Sequence, residues 1–420
     1  MNRKEFIKNS IITSAALPLL YNGNVFSKQK HEDEKTMISN NSFKPLAITM
    51  WDFSWLENKW PGAGYEDWDL VLDQLAERGY NAIRIDAYPH LVSEDAEKEW
   101  TLIPVWRVSD WGSPAVNKVK VQPMLNQFIS KCKDRNIKIG LSSWFREDTN
   151  NMRMKITSPQ KMGEIWIKTL RSIEDAGLLD NIFYVDLCNE WPGSHWAPYF
   201  KNNPPELTWG AWHTENSMKW MEQSIKLIRK EFPDMPLGYS IEMHKSHVEY
   251  NRDLSFFDYQ EPHIWMSNSN FDEYYKKVGY NYDTQKFDSY DNLQANGERI
   301  YRENTEHWHK ILFKAMDYYI NYSRQHNFAL MTTECWGVVD YKDWPLLKWD
   351  WVKDLCELGT KRASDSGRWA AVATSNFCGP QFTGMWRDVE WHQKMTNYIK
   401  NSKIDKELLD TKLIKRIENI

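Results

Sequence analysis

Short apolar runs alternate with longer amphipathic stretches along this chain from Leu46 to Lys400. The runs are Leu46 to Met50, Ala82 to Asp86, Ile137 to Ser142, Ile182 to Cys188, Leu237 to Ile241, Phe256 to Gln260, Phe328 to Thr333 and Trp369 to Thr374. Bounded by turn residues and rich in Ile, Val, Leu and aromatics, they read as strands buried on both faces. The intervening stretches repeat apolar residues at helical spacing. They lie near Glu66 to Arg78, Gln122 to Arg135, Pro159 to Ala176, Thr214 to Glu231, Tyr301 to Gln325, Trp351 to Ser364 and Val389 to Lys400, with only a short helix-like piece after the fifth run. Eight β–α units in series predict an α/β fold, a single (β/α)8 TIM barrel.

The links sharpen that picture. Helix-to-strand links such as Gly79-Tyr80-Asn81 are short, whereas strand-to-helix links at 87–121, 191–213, 266–300 and 375–388 are long. The extra chain therefore gathers on the C-terminal face, where barrel active sites are built. Residues 266–300 are polar and Tyr-rich, and they read as a loop rather than a second domain. The expected organisation is an export signal over 1–27, a disordered leader over 28–44, a catalytic barrel over 45–402 and a C-terminal extension over 403–420. Residues 2–8 supply a basic start, Ile11 to Leu20 a short apolar core, and Val25-Phe26-Ser27 a small-residue cleavage site. The start resembles a degenerate twin-arginine signal, with Lys4 in place of the second Arg. An exported protein, periplasmic or extracellular, is the expectation.

Composition adds two constraints. A net charge of −5, with Lys and Arg scattered, leaves no broad basic surface for nucleic acid. No later run is long and apolar enough to span a membrane. The five Cys (Cys132, Cys188, Cys335, Cys356 and Cys378) form no close pair and lack metal-ligand spacing, so no metal or cofactor is implied and buried thiols are expected. Trp is the outlier, with 23 residues beside 20 Tyr and 17 Phe. Flat aromatic faces suit the C–H faces of sugar rings as well as a core. Trp51, Trp144, Trp191, Trp265 and Trp336 fall at or just beyond strand ends and are the candidates for sugar contact. Oligomeric state is not legible.

Two glutamates carry the candidate chemistry. Ile182 to Cys188 delivers Asn189-Glu190-Trp191-Pro192, and Phe328 to Thr333 delivers Glu334-Cys335-Trp336-Gly337. Asp186, Cys188 and Glu190 share one parity along the fourth strand; Thr332, Glu334 and Trp336 share one along the seventh. Both glutamates are thereby expected at the barrel mouth, with carboxyls about 5–5.5 Å apart, the spacing of a retaining glycosidase. Asn189 is placed to donate its amide to a substrate hydroxyl. Glu242 and Glu261, at the expected ends of strands five and six, are rival carboxylates. His244 and His247 read as surface or substrate-rim residues.

Asn189-Glu190-x-Pro192 after strand four and Thr333-Glu334 after strand seven resemble the clan A glycoside hydrolases, the cellulase-like (β/α)8 enzymes. The resemblance covers about residues 46 to 400. It implies Glu190 as acid/base, Glu334 as nucleophile and Asn189 as a contact to the sugar 2-hydroxyl. Asn81-Ala82-Ile83-Arg84-Ile85 is similar to the family's second strand, so Arg84 inherits the brace on the nucleophile; pairing of Arg84 with Asp86 or Asp52 is the structural alternative. His263-Ile264-Trp265 resembles the His-x-aromatic segment after strand six. Trp51-Asp52-Phe53 and Asp86-Ala87-Tyr88 resemble a cellulase-like subgroup, which makes Trp51, Asp52 and Tyr88 candidate sugar contacts. The family's substrate-stacking Trp after strand eight is replaced by Thr374 to Gly379, so either Trp386 substitutes from the loop or the −1 subsite is built differently. The implied function is a retaining glycoside hydrolase that cleaves a β-linked oligo- or polysaccharide by double displacement. A non-catalytic carbohydrate-binding barrel is the alternative.

Overall fold

In the computed structural model, the described residues are 43–105, 112–200, 211–242, 252–281, 287–341, 343 and 346–420. Eight parallel strands close on themselves. They are β1 (Leu46–Asp52), β2 (Ala82–Asp86), β3 (Lys138–Ser142), β4 (Ile182–Asp186), β5 (Leu237–Gly238 and Ser240–Glu242), β6 (Glu261–Trp265), β7 (Leu330–Thr332 and Cys335–Trp336) and β8 (Trp369–Ala373). Every neighbouring pair is hydrogen-bonded in parallel, and β8 returns to β1 through Leu46↔Ala371 and Ile48↔Ala373. The fold is a (β/α)8 barrel. No described helix is long and apolar enough to cross a membrane.

The helices begin where the chain offers a cap. Asp67 accepts from two backbone N–H groups of α1 (Trp68–Glu77). Ser158 caps α2 (Pro159–Asp175), whose first position is the Pro that helix starts favour. Thr214 caps α3 (Glu215–Glu231), and Asp388 caps α4 (Val389–Lys400).

Two expectations need correction. The sixth strand is not Phe256 to Gln260 but Glu261–Trp265. Phe257 turns back on Leu254 through a 2.8 Å backbone bond before the chain enters the barrel. Glu261 and Pro262 look like a strand terminus in sequence, yet the barrel needs polar groups at this level, and Pro262 sits in register with Ile241 while its carbonyl accepts from Thr332. The stretch 266–300 is likewise more than a loop. It carries helices at Ser269–Val278 and Phe287–Glu303, ahead of the helix Thr305–His326 that answers to the one expected near Tyr301 to Gln325.

Residues 403–420 pack on the barrel. Leu413 and Ile414 are fully buried, Arg416 donates to the carbonyls of Ile182 and Leu179 at the start of β4, and Lys138 bonds the main-chain oxygen of Ile420. This segment covers the N-terminal end of β3 and β4. All five Cys are buried and free.

Large and small residues face each other inside the barrel. Tyr184 on β4 meets Tyr259 edge-on at 5.2 Å. Gly140 on β3 leaves room for that ring, since a Cβ there would lie 1.9 Å from it; at Gly238 a Cβ would lie 2.9 Å from Tyr259. Neither tyrosine can retreat, because each blocks the other. Gly140→Ala is therefore expected to destabilise the fold by about 1–3 kcal/mol, as overpacking does, with a clear drop in Tm. An unchanged Tm would refute this packing.

Candidate active site

Strand register builds the site in levels. On β5 the inward side chains are Ser240 and then Glu242; on β6 they are Glu261, His263 and Trp265. Ser240 pairs with Glu261, and Glu242 with His263. The lower level surrounds Arg84 of β2, which is fully buried. Its Nη2 donates to Asp186 (2.5 Å), Asn189 Oδ1 (2.7 Å), Ser142 Oγ (3.0 Å) and Ser240 Oγ (3.1 Å). Its Nη1 donates to Thr333 Oγ1 (2.9 Å) and Glu334 Oε1 (3.3 Å). A buried cation needs such partners. Arg84 thus braces Glu334, and its ion partners are Asp186, Glu261 and Glu334 rather than Asp86 or Asp52.

The upper level holds Glu190, His263 and Glu334. Glu190 follows β4 at a left-handed φ of 47°, its N–H held by Ser240 Oγ at 3.0 Å. Such strain in a non-glycine residue persists only where its surroundings over-determine it. His263 Nδ1 lies 2.9 Å from Glu190 Oε1 and 3.6 Å from Glu334 Oε2. Arg84 Nη1 stands 3.4 Å from His263 Nε2. Arginine can only donate, so Nε2 accepts and the ring proton sits on Nδ1, facing Glu190. Burial pushes the imidazole down to about 4, which keeps it neutral.

Burial also pushes both glutamates up to about 7. Glu334 is drawn back down by His263 and Arg84 and raised by the charge of Glu190; Glu190 is lowered by Arg84 and raised by Asp186. Two such carboxyls share one charge in the neutral range. The guanidinium hydrogen bond to Glu334 favours the charge there and the proton on Glu190. The nearby Trp196 side chain also lowers Glu190.

One ligand atom each of Glu190, His263 and Glu334 lie within 4.8 Å of one another, the one such trio among the described residues. A metal on Nδ1 would move the ring proton to Nε2, against the N–H groups of Arg84. The donor set suits proton transfer better than metal ligation.

The aromatic candidates divide. The Trp144 ring faces the Arg84 guanidinium at 4.7 Å, and the Trp144 backbone N–H donates to Asp86. Trp265 lies on the inward column of β6 and is almost fully buried. The others face away from the mouth. Trp51 bonds the Cys378 carbonyl and packs on Tyr65. Trp191 bonds Ser217 of α3 and stacks on Trp220. Trp336 bonds the Ala373 carbonyl, and a Cβ at Gly359, on the helix Asp350–Asp365, would lie 2.4 Å from it. The parity expected for Thr332, Glu334 and Trp336 fails because β7 breaks at Thr333-Glu334, where both side chains reach Arg84 Nη1. Trp386 packs under Arg78 and against His392, so it does not take the strand-eight position. Tyr88 donates to Glu57, itself paired with Arg146, and buttresses the rim. Asp52 accepts from Ser54 N–H at 2.6 Å; burial raises its carboxyl well above its ordinary range, and Glu334 is among the charges acting on it. His244 and His247 lie outside the described residues.

Sequence reasoning missed Asp340, beyond β7, and left Glu242 as a mere rival. Burial raises both carboxyls, with Glu190 the next cause. Ser142 and Ser240 were also missed, their only signal a polar residue at an inward position of a strand; Thr333 was given no role beyond its place in the Thr333-Glu334 motif.

Half-buried Glu190 and buried Glu334 thus meet at the C-terminal mouth of a (β/α)8 barrel. The chain is a member of the cellulase-like family: the model described as sugar-binding cellulase-like matches residues 48–400. It is similar to a crystal structure from Parabacteroides distasonis described, by inference, as a glycoside hydrolase. That match has 55% identity and a TM-score of 0.86, covering 89% of this chain and 100% of that one. Weaker likenesses include a hyperthermophilic endocellulase from Pyrococcus horikoshii (13% identity, 84% and 92% covered, TM-score 0.47). Another is a glycoside hydrolase family 5 mannosidase from Rhizomucor miehei (10% identity, 85% and 93% covered, TM-score 0.48). No curated protein matches the chain.

The buried carboxyls set the response to pH. Asp86, Glu190, Glu261, Glu334 and Asp340 are each pushed up to about 7, chiefly by burial. Each binds its proton more tightly folded than unfolded, so the stability it lends is present in acid and lost as pH rises through about 7. Buried His90 and His392, pushed down to about 3, act oppositely: their contribution is lost as pH falls below the ordinary histidine value. Tm is therefore expected to fall as pH rises from the ordinary carboxylate range to about 7 and to level off above it. Calorimetry showing Tm still climbing through that range would contradict the carboxyl assignments.

Proposed function

We propose that the protein is a retaining glycoside hydrolase that cleaves a β-linked oligo- or polysaccharide by double displacement. The carrying observation is the pair of half-buried Glu190 and buried Glu334, with ligand atoms within 4.8 Å of each other and of a His263 ring nitrogen. That proximity favours the shorter carboxyl separation of a retaining enzyme, about 5–5.5 Å, over the roughly 6.5–9.5 Å of an inverting one. Glu334, on Arg84, attacks the anomeric carbon while Glu190 gives its proton to the departing oxygen. Glu190, now a carboxylate, takes a proton from water, whose oxygen displaces Glu334 from the sugar. Asn189, fixed by Arg84 through its Oδ1, turns its amide N–H groups to a substrate hydroxyl. An exported enzyme is the setting that residues 1–27 suggest.

The retention of both carboxyls, the guanidinium brace and the imidazole speaks against a barrel that only binds sugar. Glu334→Ala removes the covalent route, so turnover collapses for good and poor leaving groups alike. Glu190→Ala loses about 100- to 10,000-fold on unactivated glycosides, but far less on activated aryl glycosides. That variant then accumulates glycosyl-enzyme with an initial burst, and azide accelerates it. Equal losses on both substrate classes, with no azide rescue, would show that Glu190 is not the acid/base.

A further inference from the structure

The barrel interior holds a carboxyl that this reaction does not use. Glu261 opens the inward column of β6, directly below His263, and is 1% exposed. Its Oε1 accepts from the Thr333 hydroxyl at 2.6 Å, and that hydroxyl accepts from Arg84 Nη1 at 2.9 Å. The same Nη1 lies 3.7 Å from Glu261 Oε1 and 3.3 Å from Glu334 Oε1. Nη2 is taken up by Asp186, Asn189, Ser142 and Ser240. One nitrogen therefore faces two carboxyls, directly on one side and across a hydroxyl on the other. Resting on the reading of Glu334 as nucleophile, we propose that Glu261 is a positioning residue: through Thr333 it shares Arg84 Nη1 and so sets how strongly the guanidinium neutralises Glu334.

The charges around Glu261 make this sharing consequential. Arg84 faces it from β2, Tyr184 and Asp186 from β4, and Glu334 with Thr333 from β7. Ser240 is its partner on β5, and Tyr259 and His263 flank it along its own chain. Arg84 is the only cation in this set. Its charge is raised above even its ordinary affinity for the proton, with Glu261 the foremost of the carboxyls that do so. When Glu261 is ionised it claims part of the guanidinium and repels charge on Glu334. When Glu261 is protonated, Oε1 still accepts from Thr333, so the frame stands while Arg84 serves Glu334 undivided. Burial pushes Glu261 up to about 7, within reach of Glu334's own titration. A nucleophile whose countercharge is shared stays more basic, and so attacks better, than one held by an undivided ion pair.

The test is Glu261→Gln, which keeps the size and the acceptor for Thr333 but removes the charge. NMR titration of isotope-labelled glutamate carboxyls, with Glu334→Gln assigning the resonance, reads Glu334 whether or not it is catalytic. Its midpoint is expected to fall by about half a pH unit or more, the scale of one nearby like charge removed. The acidic limb of kcat/KM moves the same way, and Glu261→Asp, which keeps the charge, returns the midpoint toward the parent value. A midpoint that stays put in Glu261→Gln, or moves equally in Gln and Asp variants, overturns the proposal. So does a Glu261→Gln chain that does not fold, which would assign Glu261 to stability alone. If the midpoint falls but no glycoside is cleaved, the tuning role stands and the hydrolase reading is what fails.

Discussion

Everything at the mouth of this barrel depends on one guanidinium placed where barrels usually carry aliphatic side chains. Arg84 is fully buried, so the neighbouring strands must supply oxygen at its level. Ser142 from β3, Asp186 and then Asn189 from β4, Ser240 from β5, and Thr333 with Glu334 from β7 all do so. A buried ion network of this kind is weak evidence of stability, since well-packed apolar residues often do as well. Its value lies in the fixed field it provides. It pins Asn189 and Glu334 to the same guanidinium, so that amide and that carboxyl cannot drift apart.

That interaction also explains which parts of the sequence were legible. The strands that carry mostly apolar positions, such as Ala82–Asp86 apart from Arg84 and Asp86, and Trp369–Ala373, announce themselves by composition. β6 does not, because Glu261 and His263 occupy its inward column and Pro262 sits between them. A pattern reader places the strand on the nearby Phe256 and Phe257 instead. Glu190, Glu334, Asn189 and Arg84 were found because local motifs carry them. Thr333, Ser240 and Asp186 were hidden, since their importance comes from a partner far away along the chain. Trp abundance misled in part: Trp51, Trp191 and Trp336 sit beside the site in sequence but seal strands against helices or rim residues. Strand alternation could not reveal this, because β4 ends at Asp186 and β7 is interrupted before either glutamate's neighbour is reached.

The two ends of the barrel are managed differently. At the N-terminal end, buried Leu413 and Ile414 and the Arg416 hydrogen bonds cover β4 with ordinary packing. At the C-terminal end, Asp52, Tyr88, Phe145 and Glu190 all adopt left-handed backbone after β1 to β4. Non-glycine residues hold that conformation at a cost of order 1–3 kcal/mol each. Buried hydrogen bonds offset it: Ser54 N–H to Asp52, Tyr88 to Glu57, Phe145 N–H to Ser143, and Glu190 N–H to Ser240.

These turns serve the electrostatics rather than the packing. A carboxyl continuing along an extended strand would point to one face or climb into solvent. The left-handed step at Glu190 brings its carboxyl back against His263 while Ser240, already bound to Asp186, holds its amide. Burial then raises its proton affinity, and His263, kept neutral by its own burial, adds no positive charge that would strip the proton away. Glu334, the more buried of the two, touches the guanidinium. Two chemically identical side chains are thus separated into a proton carrier and a charge carrier by what each contacts, and the contacts follow from a single arginine and the turns that lean on it.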